Sequence, residues 1–169
     1  MTRNTRRLTI AAMLLALGLV LPFFTGQIPQ IGKMLLPMHI PVFLCALICG
    51  WKYGAIVGCI LPIMRSMLFS MPIMFPTAVA MAFELLTYGF VTGVIYARSS
   101  KKNIKDVYVS LIVAMIAGRG IWGIVNCILL GIETDFWAVA FVNGIPGIIL
   151  QLILVPTIFT WIRTQQGEK

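Results

Sequence analysis

FPTAVAMAFELLTYGF, residues 75–90, is a run of apolar and small side chains with one carboxylate, Glu84, in its middle. A soluble helix would turn that glutamate to a polar face, and this stretch has none. Hydrophobic residues make up 60% of the 169-residue chain and charged residues only 11%, far from the balance of a soluble domain. The run is read as one span of an integral membrane protein, with Glu84 inside the bilayer. Stretches of the roughly 17 to 25 apolar residues that a crossing needs can be laid along nearly the whole chain, leaving no room for a soluble domain. The sequence predicts a single all-α transmembrane domain, residues 1–169, of about six helices.

The spans fall at about residues 8–24, 35–49, 53–70, 75–96, 105–130 and 143–163. A last helix beginning at Phe136 would be about 42 Å long at 1.5 Å per residue, too long for a straight crossing. A break is therefore expected at NGIPG, residues 143–147, where Asn143 can cap a helix and Pro146 fits its first turn. DFWAVAF before it is read as a short interfacial piece. Arg3, Arg6 and Arg7 ahead of the first span resemble the start of a secretion signal, but PFFTGQIPQ after it lacks a small-residue cleavage pattern, so the segment is expected to stay.

Charge sets the expected orientation. With six spans and the N-terminus inside, Arg3, Arg6, Arg7, Lys52, Arg98, Lys101, Lys102, Lys105, Arg163 and Lys169 lie on the inner side. The outer side holds Lys33, with Glu133 and Asp135 nearby. Both termini are thus expected in the cytoplasm, and the net charge of +8 is a topology signal that also attracts anionic lipid. Nucleic-acid binding is excluded as the meaning of that charge, because the basic residues flank apolar spans and form no aromatic-interleaved patch. The four cysteines, Cys45, Cys49, Cys59 and Cys127, lie within spans without metal-ligand spacing and are read as small packing residues. No metal and no cofactor is expected.

The ionisable side chains away from the span ends are His39, Arg65, Glu84 and Arg119, joined by the amides Asn126, Asn143 and Gln151. Charge in a bilayer interior is costly and by default faces a bundle core or a wet cavity, which marks function. Measured from the outer ends, Arg65 and Asn126 lie about 6 to 8 Å deep, Glu84 about 13 Å and Arg119 about 17 Å. Arg119 and Asn126 share a helix face with Trp122 beside them, and Thr77, Glu84 and Tyr88 share another. The candidate ligand-binding set is therefore Arg119, Glu84, Asn126, Asn143, Arg65, Trp122, His39 and Tyr88. The competing reading is an ion pair between Glu84 and Arg119 that holds the bundle together, with Arg65 snorkelling to the surface.

Other chemistry is poorly served. Neither H-E-x-x-H nor G-x-S-x-G occurs, and no span holds an aspartate away from its ends, so no protease site can be assembled. A phosphate-binding loop is also absent, so ATP-driven transport would need a partner ATPase. An intramembrane enzyme would have to use His39 with Glu84, and a passive channel would need polar residues through the full membrane depth. The segment TGQIPQIGKMLLPMH, residues 25–39, is a candidate lid over the ligand. Small residues repeat as Ala12-x-x-x-Ala16 in the first span and as Gly50, Gly54 and Gly58 farther on, steps at which another backbone can approach closely.

Taken with LPMHIPVFL (36–44), GWKYGAIVG (50–58) and FPTAVAMAFE (75–84), these features resemble the S component, the substrate-binding subunit, of an energy-coupling factor (ECF) vitamin transporter, over nearly all of the chain. The resemblance implies a non-catalytic subunit of the bacterial cytoplasmic membrane. It also implies partnership with a transmembrane coupling subunit, reached through Ala12 and Ala16, and with two ATPase subunits. Binding in an outward pocket, toppling of the subunit within the membrane and release inside follow from the same resemblance. The LPMHIPVF and FPTA segments are similar to branches that take pantothenate-like or, second, pyridoxine-like vitamins. Arg65 and Arg119 against Glu84 leave one positive charge in excess in the membrane interior, which favours an anionic or zwitterionic ligand.

Overall fold

A computed structural model describes residues 2–24, 37–100, 102–131 and 135–165, with residues 3, 24 and 135–144 described by their backbone alone. The chain forms α1 (Arg3–Phe24), α2 (His39–Cys49), α3 (Trp51–Phe69), a kinked turn (Met74–Ala78), α4 (Val79–Arg98), α5 (Ile104–Leu130) and α6 (Asp135–Gln165). Five apolar stretches are long enough to cross a bilayer: Asn4–Phe23, Trp51–Phe69, Met74–Arg98, Ile104–Leu130 and Ile145–Gln165. The all-α membrane expectation holds in that form, with α2 as a shorter sixth helix.

At 11 residues, α2 rises only about 16 Å. Ten of its residues are buried, His39 through Leu47 and Cys49, so it is wrapped rather than lipid-facing. It packs on α1, α3, α4 and α6 and forms the centre of the bundle. Cys45 and Cys49 are buried free thiols within it, in the packing role expected of them. Gly50, at φ 98°, is the whole connection to α3, a left-handed backbone that favours glycine.

The glycine repeat works inside the bundle. A Cβ on Gly58 would overlap the backbone of Leu85 on α4, and one on Gly89 of α4 would overlap the backbone of Gly54. The two helices therefore lie backbone on backbone, which rules these glycines out as an outside contact. Gly89→Val should cost about 2 to 3 kcal/mol, the upper part of the overpacking range, because the clashing atoms are main chain and cannot rotate aside. Gly120→Val, at a site with no atom within 4 Å, should cost almost nothing. Thermal unfolding of the two detergent-solubilised variants checks this, and equal midpoints would contradict the packing.

Two expectations fail at the helix ends. No break occurs at NGIPG: α6 runs unbroken over 31 residues with Pro146 inside it. Ending a helix there would strand several main-chain groups at each new terminus in apolar surroundings, whereas an internal proline removes one donor. At the start of the fourth span the chain kinks at Phe75, whose φ of −120° and ψ of 131° are extended rather than helical, and α4 begins only at Val79, so Thr77 precedes the regular helix. Thr77 is consequently exposed while Glu84 and Tyr88 are buried, so the three do not share a stripe.

The helices alternate in direction. Arg65 at the end of α3 reaches the Leu19 carbonyl near the end of α1, and Arg163 at the end of α6 donates to the Lys102 carbonyl just before α5, at 2.6 Å in each case. Arg6, Arg7, Lys52, Arg98, Lys102, Lys105 and Arg163 consequently gather at one end of the bundle. At that end an Asn103–Asp106 capping box closes the start of α5.

Candidate functional site

The centre of the bundle holds a connected polar group drawn from four helices. Tyr88 donates from its hydroxyl to Glu84 Oε1 at 2.6 Å, one turn away on α4. Arg119 on α5 brings Nε to 3.4 Å from the same oxygen. The guanidinium also stands over the Trp122 ring, 5.8 Å from its centroid. On the other side of Tyr88, the His39 ring meets it edge-on at 5.4 Å and Phe43 stacks on it at 5.0 Å. Gln151 of α6 lies with Nε2 at 3.4 Å from His39 Nδ1. A chain of contacts thus runs Gln151, His39, Tyr88, Glu84, Arg119, Trp122.

Local sequence explains each placement. His39 and Phe43 are four apart on α2, as are Glu84 and Tyr88 on α4, so each pair shares one helix face. Tyr88 lies against α5 because position 118 has no side chain: a Cβ there would overlap the tyrosine ring. Arg119 follows immediately and is carried to the carboxylate. Both partners of the pair are buried, at 1% exposure for Glu84 and 8% for Arg119.

The ion pair leaves Arg119 with an unspent donor. At 3.4 Å its Nε–H is close enough for Coulombic attraction but out of line for a hydrogen bond, and it has no hydrogen-bond partner. Buried donors are nearly always satisfied, so a buried Nε–H without a partner calls for an explanation. The Glu84–Arg119 pair and a ligand-binding role are compatible, since the pair leaves that donor unsatisfied.

Of the residues expected at the site, His39, Glu84, Tyr88, Arg119 and Trp122 are brought together. Arg65 is not: its guanidinium bonds to the Leu19 carbonyl and lies over the Phe23 and Phe69 rings at 5.2 and 5.6 Å. Asn126 is buried but spends its amide at 2.8 Å on the Trp122 carbonyl of its own helix. The Asn143 side chain and residues 25–36 of the suggested lid lie outside what the structure describes.

Phe43 and Gly118 were missed by sequence reasoning, although Phe43 follows His39 by one turn and Gly118 adjoins the key arginine. Among the described residues no group of three or more metal-ligating side chains converges.

Ala12 and Ala16 stand elsewhere, exposed on α1 beside Leu8, Met13, Leu17 and Val20. The inward face of that helix is Ala11, Gly18 and Pro22.

Comparison with curated proteins and with solved structures gave no match. The family model described as "ECF transporter, substrate-specific component" matches residues 6–159, from the first turns of α1 deep into α6. That match spans nearly the whole bundle, and the chain belongs to the ECF transporter substrate-specific component family.

Proposed function

We propose that this membrane transport subunit binds a vitamin or vitamin-like small molecule at the Arg119 end of the buried polar group, as part of an ATP-driven importer. The observation that carries the reading is Arg119, at 8% exposure and with its buried Nε–H left without a hydrogen-bond partner among the described residues. A carboxylate or hydroxylated ring on the ligand would take that donor, while Trp122 and the Tyr88–Phe43 stack supply apolar surface of the sort small-molecule sites use. The positive end of the bundle faces the cytoplasm of a bacterial cell membrane, with both termini inside. Partners are a transmembrane coupling subunit and two ATPases, since no phosphate-binding loop is present in this chain.

With Arg65 held at α1, the charges left in the centre, Glu84 and Arg119, cancel. A preference for anions therefore rests on the unsatisfied Nε–H of Arg119 rather than on an excess of positive charge. This keeps a pantothenate-like monocarboxylate as the first candidate and admits a neutral pyridoxine-like ring as the second. Native mass spectrometry of the purified subunit tests the reading. A bound species of vitamin mass, exchangeable with added pantothenate or pyridoxine, is expected. A subunit that is always ligand-free and shows no saturable binding across a panel of water-soluble vitamins would sink it.

A further inference from the structure

The connection between α3 and α4 has the composition of a membrane span rather than of a loop. From Ser66 to Phe83 there is no charged residue. Met67, Ile73 and Phe75 are 72%, 70% and 59% exposed, and Leu68, Phe69, Met71 and Met74 are exposed with them. Hairpin tips that emerge into water are normally polar, and a contiguous apolar patch at one calls for a partner. The patch is also continuous with the outward apolar residues of the two helices that carry it, Ile56 and Ile60 on α3 and Phe83 and Phe90 on α4.

We infer that residues 67–76 lie in membrane lipid, at the boundary of the leaflet away from the positive end of the bundle, and form a lipid-seated tip rather than an aqueous loop. Height agrees with this. α3 starts at Trp51 and Lys52, an aromatic and a cation suited to the opposite interface, and its 19 residues rise about 28 Å, close to the roughly 30 Å of a hydrocarbon layer. The tip therefore reaches the far boundary and does not pass beyond it.

The backbone is prepared for low polarity as well. The N–H of Ser70 bonds to the Ser66 carbonyl and that of Ala78 to the Ile73 carbonyl, both at 2.9 Å. The Val79 N–H goes to the carbonyls of Met74 and Pro76. Pro72 and Pro76 have no N–H to satisfy. An unsatisfied main-chain donor is what ordinarily keeps a loop out of lipid, and several are removed here. The Arg65 guanidinium just below is turned inward onto the Leu19 carbonyl and two aromatic rings, so it adds no charge to the tip.

The test uses the full-length subunit in phosphatidylcholine–phosphatidylglycerol vesicles, with Met71→Cys or Ile73→Cys carrying an environment-sensitive NBD label. Background from the native cysteines, two of them buried, is set by the wild type treated in parallel. Lipids bearing a nitroxide near the top of the acyl chain should quench both labels several-fold more than aqueous iodide does. The reverse is expected for Thr2→Cys in the exposed N-terminal segment. Iodide quenching of positions 71 and 73 equal to that of Thr2→Cys would overturn the inference in favour of water. Lipid quenching that appears only when protein is diluted into lipid would overturn it in favour of a second copy covering the patch. Neither result depends on which small molecule the subunit binds.

Discussion

Arg119→Ala should weaken small-molecule binding by about 2 to 5 kcal/mol, the range for losing one partner of a buried charge-assisted contact, or tens- to thousands-fold in affinity. Arg119→Lys should recover little of it, because a single ammonium cannot present the planar fork of a guanidinium. The arginine also stands 3.4 Å from Glu84, so the single substitution leaves a buried carboxylate with the Tyr88 hydroxyl as its remaining described partner. Removing one member of a buried pair costs about 3 to 5 kcal/mol in stability, so weak binding alone does not separate a lost contact from a poorly folded protein. The double variant Arg119→Ala with Glu84→Gln separates the two effects. It removes both charges, and a neutral amide still accepts from Tyr88, so its thermal midpoint should lie closer to wild type than that of the single variant. Binding, measured by isothermal titration with pantothenate and with pyridoxine, should stay lost in both. A stable double variant that binds as wild type does would remove Arg119 from the site.

How this site was legible in sequence follows from what helical spacing encodes. The pairs Glu84 with Tyr88 and Arg119 with Trp122 are set by local geometry. Their depths in the membrane follow from a fixed rise per residue, so their common level could be read without tertiary knowledge. Depth, however, is one coordinate. Helices that are apolar nearly all round carry little information about which face turns inward, and that rotation decides whether two residues at one level meet. Arg65 has the reach to turn either way, and it turns to the Leu19 carbonyl of α1. Asn126 lies on the expected face yet finds a partner within its own helix, an option that spacing does not weigh. The unbroken α6 escaped because it depends on the cost of leaving main-chain groups unpaired in an apolar setting, which a residue-by-residue reading of caps and prolines underestimates.

Ala12→Trp and Ala16→Trp should abolish ATP-dependent uptake while leaving ligand affinity of the isolated subunit nearly unchanged. Both alanines lie one turn apart on the exposed side of α1, whose inward face is built from Ala11, Gly18 and Pro22. A large side chain there meets lipid in the free subunit and need not disturb the polar group between α2, α4, α5 and α6. Against an approaching helix it acts differently, because small residues at four-residue spacing permit close backbone contact and an indole would hold the partner several ångströms away. Binding and transport should therefore come apart in proteoliposomes that contain the subunit, the coupling subunit and the two ATPases. Ile153→Trp, on the exposed face of α6, serves as the control and should transport normally. If both alanine variants also transport normally, α1 faces only lipid and the docking role must lie on another helix. If both lose binding outright, α1 contributes to the ligand site or to its support, and the division into a binding centre and a separate docking face is wrong. Only loss of transport with binding retained, and with the α6 control intact, supports a coupling contact through Ala12 and Ala16.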